Sequence, residues 1–420
     1  MANLAKIISV ALVALLFAPT PAQAAGSSLG STGYIPCKFA LIAGKGTNAV
    51  IAYSTLQVTV DPDTLDETMA DKIVVKNVSS KGAITSTRTI SLLPTERLAN
   101  SDNCIGVVAT SGYYYIAASL INEVQDDPAC VEDFDVDPPV TCSVTVTEYL
   151  QFWRSTNGTT WARTGRLSTP GASDVRVSAT AAVVIVATGT PMVDPACVPG
   201  SLDEYGYPIE CEADRMRLDV YESSSASMAF RSPVVITSDA EISDGYMSAE
   251  LSGGGVGILS WKNVDGEYIA SARKGVRSWS TTTKIATETF VYAGTSASTG
   301  KSALIAFVDS SSSKLSWRMS TNSGVTWASQ KRSSALVTGE VYQRNVWTVG
   351  SKFYVAVDRV PWDGDYYSSV YQVSTSSAVR KFTVGVNESI SGAVALGTRS
   401  IVVSRYQIGQ TYYLRLYSFI

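Results

Sequence analysis

The feature that most constrains this chain is a recurring order of short β runs. A first strand, a turn, an apolar second strand, a variable loop and a hairpin of third and fourth strands follow one another along the sequence. The second strands are the clearest, at 49–53, 113–118, 183–187, 256–261, 303–308, 352–357 and 401–405. Candidate inner strands precede them, as at 105–110, 175–180, 246–251 and 344–348. The runs are rich in Val, Ile, Tyr and Thr and are separated by Gly, Ser, Asn and Asp clusters, and no amphipathic helix of about 12 residues interrupts them. Radial repetition of four-stranded sheets is a β-propeller. About 396 mature residues shared among seven units gives roughly 57 each. The sequence therefore predicts an all-β, single-domain propeller over 25–420 with seven blades, six being the alternative. The last unit has only three C-terminal strands, and residues near Ser28 to Pro36 are placed to supply the fourth and close the ring.

Composition narrows the chemistry. The chain has 420 residues and no histidine, which excludes a Ser-His-Asp triad, a Cys-His pair, an H-E-x-x-H zinc site and a histidine general base. Any catalysis must run on carboxylates, Tyr, Lys or Arg. The net charge is −4 and no basic tract is present, so a nucleic-acid-binding footprint is absent.

Residues 1–24 read as a signal peptide, with Lys6, an apolar run over 7–18 and Ala22-Gln23-Ala24 suited to cleavage. No later segment is long and apolar enough to span a membrane. The expected location is secreted, periplasmic or cell-surface, in a bacterium. Export explains six cysteines as disulfides: Cys130 and Cys142 bracket one short segment, Cys197 and Cys211 another, and Cys37 with Cys104 remain.

Two hairpins carry the sharpest pattern. Ser320-Thr-Asn322-Ser-Gly324-Val-Thr-Trp327 follows Trp317-Arg318, and Ser155-Thr-Asn157-Gly-Thr-Thr-Trp161 follows Trp153-Arg154. A looser copy is Ser271-Ala-Arg273-Lys-Gly275-Val-Arg-Ser278-Trp279. An Asn oxygen holds its own turn backbone, Gly supplies φ > 0, and the Trp ring packs beneath the turn. These segments resemble the Asp-box, or bacterial neuraminidase repeat, of sialidase-like propellers. The resemblance implies a scaffold turn on the face away from the ligand.

Tyr34-Ile35-Pro36 followed by Gly46-Thr47 and the strand to Tyr53 is similar to the sialidase opening, without the arginine that in that family clamps a substrate carboxylate. The resemblance implies Asp61 or Asp63 as acid-base group, Glu250 with Tyr292 or Tyr412 as nucleophile pair, and Arg344 as a clamp arginine.

Three of the loops between second and third strands are acidic, and two contain Asp-Pro-Ala-Cys-Val, at 127–131 and 194–198. Aromatic residues decorate these loops and a later one: Phe134, Tyr205, Tyr207, Trp362 and Tyr366. Asp133, Asp135 and Asp137 alternate in a pattern that offers several oxygens to Ca²⁺, against the simpler reading of a solvated acidic loop. A clustered negative face repels an anionic sugar over about one Debye length, ~8 to 10 Å. It suits a cation-bridged site, a basic protein partner or a neutral glycan stacked on Tyr and Trp. The functional expectation is a non-catalytic recognition or scaffold protein for an extracellular protein or glycan, with a divergent glycoside hydrolase as the alternative.

Overall fold

The computed structural model describes residues 27–33, 41–60, 67–99, 104–127, 129–130, 141–193, 197, 211, 213–242, 247–251, 257–286, 291–309, 314–333, 340–360, 365–408 and 411–419. Among them there is no helix, and strands account for the regular structure. After β1 (Ser27–Gly33) comes an antiparallel sheet of β2 (Leu41–Lys45), β3 (Asn48–Val60), β4 (Glu67–Ser79) and β5 (Ile84–Ser91). The second sheet holds β6 (Glu96–Leu98), β7 (Ile105–Ala109), β8 (Tyr114–Gln125), β9 (Val144–Ser155) and β10 (Ala162–Ser168), with β6 and β7 both on β8. The third is β11 (Asp174–Ala179), β12 (Val183–Val193), β13 (Ala213–Ser224) and β14 (Val234–Ala240). The fourth is β15 (Ser248–Leu251), β16 (Gly257–Lys262) and β17 (Tyr268–Gly275), with β18 (Ser278–Trp279) and β19 (Thr283–Ala286) both on β17. The fifth is β20 (Val291–Thr299), β21 (Ser302–Asp309), β22 (Lys314–Ser320) and β23 (Lys331–Arg332).

The remaining strands are β24 (Glu340–Val349), β25 (Lys352–Val360), β26 (Tyr367–Val373), β27 (Ala378–Thr383), β28 (Glu388–Leu396), β29 (Arg399–Ile408) and β30 (Thr411–Phe419). They share one sheet, yet β24–β27 and β28–β30 join only through the parallel pair Tyr367 and Glu388, so they act as two units. β1 pairs antiparallel with β30, Ser27 opposite Leu416 and Gly33 opposite Tyr412. The short last unit thus takes its fourth strand from the other end of the chain, at the segment the sequence points to.

All seven expected second strands are found, as β3, β8, β12, β16, β21, β25 and β29. Their continuous apolar runs have a physical cause, because each lies between two neighbouring sheets and buries both faces. In β3, Ile51 packs with Leu396, Ile401 and Leu414 of the last unit, whereas Val50 and Ala52 pack with Ile105, Ile116 and Trp153 of the second sheet. Among the described residues, seven apolar clusters repeat this arrangement, each between consecutive units and one joining the last unit to the first. Burial of one such Ile or Val side chain stabilises by about 1.5 to 3 kcal/mol.

Two hairpins between third and fourth strands share a side-chain scaffold. Ser155 Oγ accepts from Gly158 N at 2.8 Å, and Asn157 Oδ1 accepts from Thr160 N at 3.0 Å. Ser320 Oγ accepts from Gly324 N at 2.9 Å, and Asn322 Oδ1 accepts from Thr326 N at 2.9 Å. Each turn docks on the preceding sheet: Asn77 Nδ2 donates to Gly158 O at 2.9 Å, and a Cβ on Gly324 would lie 3.2 Å from Ile258. The looser copy at 271–279 differs. Gly275 pairs with Ser278 across a tight turn in which Arg277 takes φ 54°, and Ser271 Oγ donates instead to Ser280 O at 2.8 Å.

Cys130–Cys142 and Cys197–Cys211 are disulfides, each with Cα atoms 5.8 Å apart. Cys104 is also disulfide-bonded. Cys37, its expected partner, lies outside the described residues, as does the expected signal peptide at 1–24.

Candidate functional site

Strands β2, β7, β11, β15, β20, β24 and β28 open their units, and each contacts the opening strand of the next, with β28 contacting β2. Three of the four expected catalytic residues fall on three successive opening strands: Glu250 on β15, Tyr292 on β20 and Arg344 on β24. The register slips just after Tyr292, between it and Thr295, and again across Arg344, between Gln343 and Asn345. Such bulges re-aim side chains and are frequent beside sites. Asp61 and its alternative Asp63 lie outside the described residues. Tyr412 sits on β30, in another unit, with the Arg405 guanidinium 5.0 Å from its ring centre.

Glu250 is the chemically informative member of this set. Met247 and Leu251 join the cluster shared with the third sheet, whereas Glu250 pairs with Ile258, which belongs to the cluster shared with the fifth. The carboxyl therefore lies on the side toward β20. Burial pushes it up to about 8, and among the described residues no charged partner opposes the shift. The residue is half-buried, so part of its surface still meets water. A carboxyl in this state holds its proton at neutral pH and can donate it.

The neighbouring arginine is already engaged. Arg176 on β11 forms an ion pair with Asp174, and its Nε donates to Met247 O at 3.0 Å. Ser178 Oγ accepts from Leu251 N at 2.8 Å, a second tie between β11 and β15. Other buried carboxylates hold their own arginines elsewhere. Glu96 accepts from Arg163 at 2.6 and 2.5 Å, from Leu93 N at 2.9 Å and from the Tyr149 hydroxyl. Burial alone would raise the Glu96 carboxyl, but these hydrogen bonds outweigh it and hold it below its ordinary value. Burial, reinforced by the Glu96 charge, pushes the Tyr149 hydroxyl up to about 12. Glu388 accepts from Tyr417 at 2.6 Å and Ser404 at 2.8 Å and pairs with Arg415. Glu222 takes Arg273 at 3.1 and 3.2 Å across the third and fourth sheets, and Asp219 takes Arg217 at 2.8 Å.

Among the described residues tyrosine-carboxylate pairs therefore exist at Tyr149 with Glu96 and Tyr417 with Glu388, both buried between strands. Sequence reading missed them. The partners lie far apart in the chain, and the usable signal is a glutamate beginning a strand that is otherwise apolar or small, as in Glu388-Ser389-Ile390.

Of the expected ligand-face residues, Tyr366 is described. It is half-buried, and Asn387 clamps its backbone, accepting from Tyr366 N at 3.2 Å and donating its own N–H to Tyr366 O at 2.7 Å. Phe134, Tyr205, Tyr207 and Trp362 lie outside the described residues, as do Asp133, Asp135 and Asp137. Among the described residues no group of three or more Cys, Asp or Glu is placed to hold a metal. The strands leading to these loops are long. β3 with β4, β8 with β9, and β12 with β13 pair well beyond their neighbours, and the disulfides sit where the last two run out. Val124, Val144, Val146 and Val193 are exposed on these extensions.

No family model matches the chain, and no curated protein does. Among solved structures it is similar to Trypanosoma rangeli sialidase, at 11% identity and TM-score 0.43, covering 81% of this chain and 57% of that one. It is also similar to a prolyl endopeptidase, at 10% identity and TM-score 0.46, covering 89% and 46%. A third is a mutant of the Aleuria aurantia lectin in complex with Fucα1-6GlcNAc, at 9% identity and TM-score 0.42, covering 83% and 97%. The chain spans less than two thirds of the sialidase it matches. At these values the likenesses assign no activity.

Proposed function

We propose that the chain is a secreted, closed seven-bladed β-propeller with Asp-box hairpins that serves as a non-catalytic recognition or scaffold protein outside the cell. It binds an extracellular protein or glycan through the acidic, aromatic, disulfide-braced loops between second and third strands, including Phe134, Tyr205, Tyr207, Trp362 and Tyr366. Seven apolar clusters between consecutive units favour seven blades over six. The disulfides suit an oxidising compartment.

One observation carries the non-catalytic reading. The arginines engaged with buried carboxylates, at 163, 176, 217, 273 and 415, are spent on separate structural ion pairs, so these five are not free to clamp an anionic sugar. A second reading has its own support. Glu250, still protonated at neutral pH, suits the general acid of a divergent glycosidase rather than the nucleophile-pair role that the resemblance implied, with Asp61, Tyr292 and Arg344 as the remaining candidates.

Thermal melting of the protein in EDTA and in millimolar Ca²⁺, run beside a fluorogenic glycoside panel that includes a sialoside, separates the two. The binding reading expects a calcium-dependent rise in Tm through Asp133, Asp135 and Asp137, with no turnover. Turnover lost in Asp61→Asn or Glu250→Gln overturns it in favour of the glycosidase.

A further inference from the structure

The two matching hairpins differ in one respect that their shared turn geometry makes conspicuous. In the first, Trp161 Nε1 donates to Gly158 O at 2.9 Å. In the second, Trp327 Nε1 is buried and has no acceptor. Two residues before the hairpin serine, the first has Trp153, buried in the core beside Arg163, whose charge Glu96 meets. The second has Arg318, half-buried, with Nε buried and unpartnered and, among the described residues, no carboxylate paired with it.

Register places the surrounding groups. Arg318 is opposite Ile305, and Ile305 and the Trp327 ring belong to the apolar cluster between the fourth and fifth sheets. Ser316 pairs with Arg332 and Trp317 with Lys331, so the same antiparallel register sets Gln330 opposite Arg318. Cross-strand partners share a face. Gln330 Nε2 and Ser316 Oγ are also buried without a partner. Four unsatisfied polar atoms, on Ser316, Arg318, Trp327 and Gln330, thus gather on one side of β22 and the segment after it. Trp Nε1 and the guanidinium can only donate, and the Gln Nε2 amide donates too. Burial also pulls the Arg318 guanidinium below its ordinary value, as desolvation without a counter-charge must.

A donor-rich cluster around an arginine unpaired among the described residues calls for an acceptor with negative charge, and the guanidinium fork matches two oxygens of one planar or tetrahedral group. We propose that the side of β22 carrying Arg318, with Trp327 and Gln330, is a binding site for a small oxyanion, a carboxylate or sulfate group. The site lies apart from the acidic loops and from the opening strands, and it does not depend on the function proposed above.

The indole N–H resonances of the eight tryptophans give a direct readout. The Trp327 signal is identified as the one missing from Trp327→Phe. Sodium sulfate and sodium acetate are titrated separately against sodium chloride at matched ionic strength, which distinguishes the two sources of oxyanion. The expected result is a saturable shift of the Trp327 resonance with one or both salts, absent in Arg318→Met. Arg318→Lys keeps the charge without the fork and is expected to bind roughly tenfold more weakly, which keeps the test decisive if the methionine variant does not fold. A linear drift equal to that in chloride, or a saturable shift unchanged in both Arg318 variants, overturns the proposal and leaves water as the acceptor.

Discussion

Glu250 links the row of opening strands to pH. Its carboxyl lies near 8 in the folded chain against an ordinary 4.5, so the native state binds the proton more tightly than the unfolded state does. A raised acid contributes its full stability at low pH and loses it as pH climbs from the ordinary value through the folded one. Glu250→Gln is therefore expected to melt like the wild type at pH 4 and higher than it at pH 9. The full shift corresponds to roughly 5 kcal/mol, and partial access to water reduces the expected gain to about 2 to 4. Equal melting temperatures at pH 9, followed by calorimetry, would remove the assignment. The contrast with Glu96 is instructive. Glu96 is buried and Glu250 half-buried on their strands, yet hydrogen bonds from Tyr149 and Arg163 hold Glu96 ionised whereas Glu250 has no such partner among the described residues. Sequence alone could nominate Glu250 as a glutamate on an opening strand. It could not distinguish the two, because the difference rests on residues brought in from other strands.

At the scale of elements, the turn after β9 shows how little room a hairpin leaves. Gly158 takes φ +76°, and a Cβ there would lie 2.1 Å from Asn77 Oδ1 and 2.9 Å from Val50 on the adjoining sheet. Gly158→Ala is expected to lose the Asn77 bond as well as the left-handed backbone, costing about 2 to 3 kcal/mol, read from urea unfolding midpoints. A change below about 0.5 kcal/mol would mean that the turn does not dock as described. Second strands were legible because burial on both faces demands an unbroken apolar run, which a linear reading detects. The copy at 271–279 was misleading for the same linear reason: Trp279 recurs at the right distance, but the tight turn at Val276 and Arg277 has no room for the serine and asparagine scaffold. The change of Trp153 to Arg318 between copies is equally visible in the sequence. Its meaning is not, since it depends on where each indole N–H finds an acceptor.

For the whole molecule, the pairing of β1 with β30 is the contact between the chain's most distant parts. Removing residues 27–33 leaves β30 with an unpaired edge, and exposed edges recruit other chains. The truncated protein is expected to melt several degrees lower and to self-associate in size-exclusion chromatography, while an unchanged elution volume and Tm would deny β1 a structural role. The three-strand unit β28–β30 was readable as one short of a fourth strand. The acidic and aromatic tips were readable as composition only, and most of them lie outside the described residues.

The same pairing also sets an order of events. Native contacts between Ser27 and Leu416 close nearly the longest loop the chain can make, and long-range pairings form late and slowly. A polypeptide emerging from a ribosome or a translocation pore N-terminus first must hold β1 unpaired until β30 has appeared. For that interval β1 lacks the partner it has in the folded chain, and it is the arrival of β30 that lets this pairing form.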